Sequence, residues 1–353
     1  MNSGTNYCFI LLALLVFIIC LFAYLPFDLT VNEKTVKEVY VKKKDWLNEL
    51  SEATNFTGKI YALVFYGRQA QVSILIRYLE KNLKINGGVL EKIVFNVKTT
   101  NKDDLNYLDS ILNQNKSYYE KRIFPSNHDF KGVYSEIDDN DLIFKIDDDI
   151  VFIAPNTFEN MLKEYLTKNL IVLSANVINH PILSHVHARL MAITPFFEIR
   201  NYTWIKVENT TYLDNTECKF GDYGPFSLWW RNGRCAAIVH ESFLDNAKKN
   251  SLDIYNFLKW DFHQTSYERW SINFVLFKGK YVKNLKEEFP KTENDETAIS
   301  CDIPRKYGRH SYSLGSAIVV HFSYVSQYDY LKNTFLLKKY ENLSTDFLSV
   351  YYK

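Results

Sequence analysis

The sequence has little glycine, proline or cysteine, and its charges nearly cancel. Its 353 residues include 12 Gly, 8 Pro and 5 Cys, and 42 Lys and Arg oppose 41 Asp and Glu, for a formal net charge of +1. Low glycine and proline with 47% hydrophobic residues exclude a fibrous or disordered chain and predict a globular one with a sizeable core. Without charge of one sign we expect no nucleic-acid partner. No Cys/His spacing typical of structural zinc is present.

The first 27 residues carry no charged side chain, and residues 8–25 form an 18-residue apolar run. At 1.5 Å per residue, such a helix reaches roughly 27 Å, enough to cross the hydrocarbon core of a membrane. No basic residue precedes the run and no small-x-small cleavage site is plain, which favours an uncleaved anchor over a cleaved signal peptide. We predict a cytoplasmic tip and transmembrane signal anchor at 1–27, a stem at 28–57, a globular domain at 58–343 and a C-terminal tail at 344–353.

The orientation of this anchor rests on two opposed signals. Five lysines between positions 34 and 44 follow the run, which by the positive-inside rule alone would keep the domain in the cytoplasm. Long domains translocate largely regardless of flanking charge, however, and five glycosylation sequons follow the anchor, at Asn55, Asn115, Asn201, Asn209 and Asn342. We predict a single-pass type II protein of the Golgi or ER membrane with its domain in the lumen. Outside the membrane run, Cys218, Cys235 and Cys301 allow one disulfide at most, with Cys218 and Cys235 the favoured pair and three buried thiols the alternative.

Short apolar strands alternate with amphipathic helices after residue 58. Strands are predicted at 59–66, 90–97, 119–124 and 142–146, and helices around 72–79, 103–113, 129–137 and 156–168. This alternation is typical of an α/β fold whose parallel sheet is covered on both faces. Ligands of such sheets bind at the carboxyl ends of the strands.

Three consecutive carboxylates, Asp147, Asp148 and Asp149, stand where an apolar strand ends and a second apolar run begins. Adjacent like charges repel one another unless a cation neutralises them. In an extended chain Asp147 and Asp149 share one side and Asp148 faces away, an arrangement that suits Mg²⁺ or Mn²⁺ bound to a diphosphate. The second D-x-D, at residues 139–141, precedes its strand and is interpreted as a turn or cap. The alternative for the trio is an acidic loop that caps the helix at 156–168.

The segment F-K-I-D-D-D-I-V-F-I at 144–153 resembles the D-x-D segment of nucleotide-sugar glycosyltransferases of the GT-A fold, and is locally similar to that of galactosyltransferase-like and fringe-like enzymes. A longer pattern resembles a group of membrane-anchored sugar transferases between residues 58 and 343, in segments 64–68, 270–274, 295–296, 304–309 and 320–323. The resemblance implies a GT-A (Rossmann-like) mixed sheet flanked by helices, a nucleotide held by the first strand and its turn, and a metal held by the trio. It also implies a metal-binding role for His321 at the end of a late strand.

These patterns yield a candidate set of site residues. The predicted metal ligands are Asp147, Asp149 and His321, with Mn²⁺ or Mg²⁺ as the ion. For the nucleotide diphosphate, the resemblance implies contacts from Tyr66, Arg68, Asp147 and Asp148. Arg305 and Arg309 are added as cations, because guanidinium groups, like that of Arg68, pair with phosphate. For an inverting transfer, Glu268 is the first choice of catalytic base and Asp261 the second. Glu268 is expected to begin a helix over 269–277. Each of these charged groups has a plain alternative as a solvated turn, loop or helix-end residue.

Together the sequence predicts a metal-dependent glycosyltransferase that moves a sugar from a nucleotide-diphosphate donor to the hydroxyl of a glycan, glycoprotein or glycolipid acceptor. The alternatives are a metal-dependent phosphoesterase, which would normally show further His/Asp motifs, and a catalytically inactive transferase-like luminal binding protein.

Overall fold

A nine-stranded mixed sheet is the centre of the computed structural model, which describes residues 46–123, 130–193, 196–200, 203–206 and 228–351. The nine strands are β1 (Ile60–Tyr66), β2 (Lys92–Val97), β3 (Tyr119–Ile123), β4 (Leu142–Asp147), β5 (Ile150–Ile153), β6 (Val172–Ile178), β9 (Lys259–Asp261), β10 (Phe274–Lys278) and β11 (Tyr312–His321). Two further strands, β7 (Phe196–Arg200) and β8 (Thr203–Lys206), pair with each other in a separate antiparallel ladder.

The strand order is β3-β2-β1-β4-β10-β6-β11-β5, and β9 pairs with β11. Strands β1 to β4 are parallel, as the sequence predicts for this half. Strand β10 is antiparallel to both of its neighbours, β4 and β6. The sheet as a whole is therefore mixed, and the expected mixed sheet flanked by helices is confirmed.

The helices follow the amphipathic segments of the sequence. The longer ones span residues 46–54, Gln69–Lys81, Lys102–Gln114, Thr157–Thr167, Leu183–Arg189, Gly233–Lys248, Val325–Leu331 and Leu336–Tyr351. Short helices occupy Leu285–Glu288, Asp295–Thr297 and Ile303–Tyr307, and the last two are joined by a π-helical turn, Ala298–Asp302. Asn101 begins its helix as a cap, since its side chain accepts hydrogen bonds from the N–H groups of Asp103 and Asp104.

Aromatic rings fill the core around strand β4. Phe144 on β4 lies 4.7 Å from Phe158 between ring centroids, and Phe158 lies 5.6 Å from Phe274 on β10. All three are almost fully buried. Strand β4 is buried on both faces up to its last residue, which explains its continuous apolar run. Its start is tied to β1, because Asp141 Oδ1 accepts a hydrogen bond from Lys59 N at 2.8 Å. Residues 139–140 form a turn in which Asp141 N donates to Asp138 O at 3.0 Å, so the second D-x-D is the turn that the sequence predicts.

The helix predicted at 269–277 is wrong: Phe274–Lys278 is strand β10, and Glu268 lies in an irregular segment before it. A short continuous apolar run does not distinguish a buried strand from a buried helix. Here its neighbours decide, since the segment fits between β4 and β6 and pairs with both.

Several boundary predictions can be compared with the structure. The predicted anchor and most of the predicted stem lie outside the described residues. Within the described part of the chain, none of the helices has both the length and the apolar character needed to cross a membrane. The predicted stem ends in the helix 46–54, where Trp46 and Leu50 pack against the core. The helix Leu336–Tyr351 continues through the predicted boundary at residue 343 and buries Phe347 and Leu348.

The cysteines outside the membrane run differ in state. Cys235 is disulfide-bonded, and its partner lies outside the described residues, as does Cys218. Cys301 is a buried free thiol. One disulfide and one leftover thiol agree with the odd number of cysteines in this part of the sequence.

Candidate active site

A cleft of about 450 Å³ opens at the carboxyl ends of β1, β2 and β4, the edge of the sheet where α/β proteins bind ligands. Its polar lining comes from these strand ends and from the helix that begins at Asp295. The polar and charged residues are Tyr66, Arg68, Lys98, Thr99, Lys145, Asp147, Asp148, Asp295 and Glu296. Four carboxylates and three cations therefore meet in one concave site, which is the kind of place where charged ligands bind.

Asp147, Asp149 and His321 form a group beside this cleft. Each offers one ligand atom, and the three atoms lie within 4.8 Å of one another. Asp147 also lines the cleft, so the group and the cleft share a residue. Carboxylate oxygens and an imidazole nitrogen are suitable ligands for Mn²⁺, and carboxylates for Mg²⁺.

Asp149 is fully buried, yet one of its oxygens has no hydrogen-bond partner among the described residues. Its Oδ2 receives the Ser323 N–H at 3.2 Å and lies 3.1 Å from Arg68 Nη1. Its Oδ1 lies 3.3 Å from His321 Nε2 without the alignment of a hydrogen bond. Burial alone would raise the pKa of Asp149, but Arg68 and His321 outweigh it and hold the pKa below its usual range. A buried, ionised carboxylate with an open oxygen next to an imidazole fits a divalent cation.

The end of β11 that carries His321 lies opposite a bulge in the neighbouring strand β5. Strand β11 pairs with β5 in regular register up to Val320, and the register shifts between Val320 and His321. Val320 pairs with Phe152 and His321 with Ile150, so the extra residue is Val151, and the bulge bends β5 just after Asp149. The backbone then returns to Asp149, since Phe322 N donates to Asp149 O at 2.8 Å.

Arg68, in the turn after β1, binds two members of the acidic trio. Its Nε donates to Asp148 Oδ1 at 3.0 Å, its Nη2 also bonds this oxygen, and its Nη1 pairs with Asp149. Burial raises the pKa of Asp148 to about 6, against the opposing effect of Arg68. The prediction that Asp148 faces away from Asp149 is wrong in this respect, because residues 148 and 149 form a turn and both contact Arg68. Gly67 leaves room for the carboxylate of Asp148. A Cβ at position 67 would lie 3.3 Å from Asp148 Oδ2, so a side chain there would crowd Asp148.

Asp147 is held on both oxygens. Lys145 Nζ bonds Oδ1, and Asn273 Nδ2 donates to Oδ2 at 3.0 Å. Lys145 is almost fully buried and also donates to Ile272 O at 3.0 Å. Burial would lower the pKa of Lys145, but the nearby Asp147 and Asp295 outweigh it and raise that pKa. The positive charge on Lys145 offsets part of the repulsion within the trio.

Asp295 and Glu296, in the first helical turn after Asn294, also line the cleft. Tyr134 Oη donates to Asp295 Oδ2 at 2.8 Å, and Arg269 Nε donates to Glu296 Oε1 at 2.6 Å. Burial raises the pKa of both carboxyl groups, with Lys145 opposing it at Asp295 and Arg269 opposing it at Glu296. The sequence pattern includes this acidic pair within the resemblance but assigns it no role.

The two predicted catalytic bases do not line this cleft. Glu268 is exposed, and its Oε1 accepts a hydrogen bond from Ser266 Oγ at 2.9 Å. Asp261 ends strand β9, where it accepts from His263 N at 2.8 Å and lies 2.7 Å from His310 Nδ1. The helix predicted to begin at Glu268 is absent, and the next residue, Arg269, contacts the cleft only through its hydrogen bond to Glu296.

The predicted phosphate contacts divide in the same way. Tyr66 and Arg68 line the cleft, whereas Arg305 and Arg309 do not. Arg305 is exposed and donates to Asp302 Oδ1 at 3.2 Å and to Tyr267 O at 3.0 Å. Lys98, which the sequence analysis did not select, lines the cleft and lies 4.2 Å from the centre of the Phe130 ring.

Comparisons with known proteins give distant structural likenesses. No family model matches the chain. No curated protein matches it. Among solved structures, GalNAc-T7 with UDP, GalNAc and Mn²⁺ is similar with a TM-score of 0.41 and 11% identity, over 82% of this chain and 48% of that one. The chain thus spans about half the length of that protein.

Two synthetases are similar at a comparable level. The 4-diphosphocytidyl-2C-methyl-D-erythritol synthase of Anaerococcus prevotii has a TM-score of 0.37 and 9% identity, over 83% of this chain and 96% of that one. CMP:2-keto-3-deoxy-manno-octonic acid synthetase complexed with CTP has a TM-score of 0.39 and 11% identity, over 82% of this chain and 100% of that one. The function proposed below rests on the geometry of the site.

Proposed function

We propose that this chain is a metal-dependent glycosyltransferase of the GT-A type, which transfers a sugar from a nucleoside-diphosphate donor to an acceptor hydroxyl. One observation carries the proposal: Asp147, Asp149 and His321 converge beside a cleft that Arg68 and Lys98 also line. Asp147, Asp149 and His321 would hold Mn²⁺ or Mg²⁺. When bound, such an ion neutralises the carboxylates and stabilises negative charge on a departing diphosphate.

The chain's own cations suit a diphosphate. Arg68 is committed to Asp148 and Asp149, so it orients these carboxylates. Lys98 directly follows the end of β2 and forms no ion pair with another described residue. Its ammonium group lies over the Phe130 ring. Among the described residues of the cleft, its ammonium group is the cation that would bind a phosphate oxygen of the donor.

Glu296 is the base that the cleft offers. An inverting transfer needs a carboxylate that removes the proton of the acceptor hydroxyl. Glu296 lines the cleft, and burial raises its pKa, which makes its carboxylate a stronger base than an exposed one. Arg269 fixes its orientation through Oε1. Glu296 thus replaces Glu268 and Asp261 as the proposed base.

The proposal includes a place in the cell. The apolar run at residues 8–25 would anchor the protein as a single-pass type II protein of the Golgi or ER membrane, with the domain in the lumen. The disulfide at Cys235 supports an oxidising compartment. A glycan, glycoprotein or glycolipid would then be the acceptor.

Screening with nucleotide sugars tests the proposal. Full-length protein is incubated with a panel of UDP- and GDP-sugars, with Mn²⁺, with Mg²⁺ and with a chelator, and release of nucleotide is measured. We expect metal-dependent hydrolysis or transfer with at least one donor, and its loss in Asp149→Asn. Folded protein that neither binds nor turns over any donor contradicts the proposal. Donor binding without turnover would identify an inactive binding protein, and metal-dependent release of phosphate from simple phosphoesters would identify a phosphoesterase.

A further inference from the structure

Two of the proposed metal ligands, Asp147 and His321, lie at the ends of strands that do not pair with each other. Asp147 ends β4 and His321 ends β11, and these strands have β10 and β6 between them. Asp149 is tied to the β11 end directly, by the N–H groups of Phe322 and Ser323. Asp147 is joined to this link through Asp148 and Asp149, so the chain fixes its backbone, while the placement of its carboxylate relative to the imidazole depends on side-chain contacts.

Side chains of Asn273 and Tyr324 span this gap. Asn273 Nδ2 donates to Asp147 Oδ2 at 3.0 Å, and Asn273 Oδ1 accepts from Tyr324 Oη at 3.1 Å. The Tyr324 ring in turn lies 4.5 Å from the His321 ring between centroids. Two hydrogen bonds and one ring contact therefore form a continuous path from Asp147 through Asn273 and Tyr324 to His321, which we call the bridge.

Asn273 is fixed at its own end of this path. Asp147 N donates to Asn273 O at 2.9 Å, and the next residue, Phe274, begins β10 opposite Ile146 of β4. Because the backbone holds Asn273 beside Asp147, its amide has little freedom to leave the carboxylate.

A buried polar network fixes the Tyr324 end. Tyr324 N donates to Gln327 Oε1 at 3.0 Å, and Gln327 Nε2 donates to Asn179 Oδ1 at 3.2 Å. Asn179 Nδ2 then donates to the backbone oxygen of His321 at 3.2 Å. Gln327 and Asn179 are completely buried. The network therefore fixes the backbone of Tyr324 relative to that of His321.

We infer that Asn273 and Tyr324 are positioning residues that set the spacing of Asp147 and His321 for a divalent ion. The inference rests on the proposed function, because it concerns the same metal site. Asn273 also fixes the rotation of the Asp147 carboxylate, whose other oxygen is bound by Lys145. Groups that orient metal ligands commonly contribute about 10- to 100-fold to metal affinity.

Direct titration with Mn²⁺ tests this inference without any sugar donor. Tyr324→Phe keeps the ring contact with His321 and removes the hydroxyl, and Asn273→Ala removes the amide. Free Mn²⁺ is measured by electron paramagnetic resonance during titration of the full-length protein. Tyr328→Phe is the matched control, since Tyr328 belongs to the following helix and is 37% exposed. Thermal unfolding without metal verifies that each variant is folded.

We expect each single variant to raise the Mn²⁺ dissociation constant by about tenfold, in line with the loss of one orienting group, and the control to leave it unchanged. The double variant should also lose about tenfold rather than a hundredfold, because the two residues act through one path. Unchanged affinity in the folded single variants, or losses that multiply in the double variant, would overturn the bridge.

The wild-type results separate this inference from the proposed function. If the wild type binds Mn²⁺ and turns over a donor while the variants retain full affinity, the bridge alone fails. If the wild type binds no Mn²⁺, the metal site and the bridge fail together. Failure of either variant to fold leaves the other as an independent test, because the two side chains lie on different elements.

Discussion

Arg68 Nη1 lies 3.1 Å from Asp149 Oδ2, so a cation from the turn after the first strand compensates a fully buried carboxylate 81 positions later in the sequence. Arg68 also pairs with Asp148, so removal of its guanidinium leaves two adjacent carboxylates without the cation that offsets their repulsion.

Arg68→Ala should lower the free energy of unfolding without metal by about 2 kcal/mol, less than the 3–5 kcal/mol of a fully buried pair because Arg68 is 36% exposed. Added Mn²⁺ should recover part of this loss by neutralising the same carboxylates. Urea unfolding with and without Mn²⁺ measures both effects. Arg305→Ala, which removes an exposed guanidinium, should stay within about 0.5 kcal/mol. Equal stability of the two variants would contradict the assigned role.

Asp149→Asn should abolish stabilisation by the metal. A ligand present at about 100 times its dissociation constant stabilises the folded state by about 2.7 kcal/mol. We expect Mn²⁺ to raise the unfolding temperature of the wild type and to leave that of Asp149→Asn unchanged. Asp139→Asn, in the other D-x-D, is the control and should respond like the wild type. A full Mn²⁺ response in Asp149→Asn would place the ion elsewhere.

Glu296→Gln should lower kcat by roughly 10²- to 10⁴-fold, the usual contribution of a general base, and change the KM for the donor little. Steady-state kinetics with an active donor measures this. Glu268→Gln and Asp261→Asn should retain near-normal kcat, since neither residue lines the cleft. If Glu268→Gln loses activity and Glu296→Gln keeps it, the original sequence prediction of the base is restored.

The buried histidines predict loss of stability in acid. Burial lowers the pKa of His187 to about 3 and that of His180 to about 3, from 6.5 in the unfolded chain. His187 Nε2 lies 2.7 Å from Asn176 Oδ1 and His180 Nδ1 accepts backbone N–H groups, so both rings are neutral in the fold. Between these pKa values the unfolded chain binds more protons, and the free energy of unfolding therefore falls as the pH drops below about 6.5.

Each of these histidines should cost about 2 kcal/mol between pH 7 and pH 5, at about 1.4 kcal/mol per pKa unit. Urea unfolding at several pH values measures the slope. His187→Gln, which keeps a donor toward Asn176, should make the slope shallower by about one proton. A slope identical to that of the wild type would show that His187 is protonated in the folded protein.

Glycosylation tests the luminal location. Asn55 and Asn115 are exposed, whereas the sequon at Asn342 lies in a helix and its Ser344 is completely buried. In secretory eukaryotic cells we expect a mobility shift with endoglycosidase that decreases in Asn55→Gln and in Asn115→Gln but not in Asn342→Gln. Protein from these cells that shows no endoglycosidase shift would contradict a luminal domain.

Local sequence patterns were sufficient for most of the first half of the sheet. Strands β1 to β4 and the helices Gln69–Lys81 and Lys102–Gln114 have regular apolar spacing and lie close to their predicted places. The helix predicted at 129–137 is wrong, because its described part contains only a three-residue 3-10 turn at Gly132–Tyr134. Strand β10 was missed because a five-residue apolar run has no period that separates strand from helix. Its identity depends on β4 and β6, which lie far away in the sequence.

The site divides along the same line. Asp147, Asp149 and His321 each end or follow an apolar strand, and the structure brings them together as the pattern indicates. Glu296 and Lys98 were not predicted as site residues, because their places depend on contacts distant in sequence, such as Tyr134 with Asp295. Arg305 was selected for its charge, but charge in a sequence does not show where a side chain points. Its guanidinium pairs with Asp302 and does not line the cleft.

His321 ends strand β11, so the face toward which its imidazole points depends on the register of that strand against β5. Side chains of a strand alternate between its two faces, so adding or deleting one residue in β11 would turn the ring toward the opposite face. A one-residue register shift of β11 would therefore remove His321 from the three proposed metal ligands. The register of a strand that begins more than 300 residues into the chain would thus decide whether the imidazole joins the two carboxylates that follow β4.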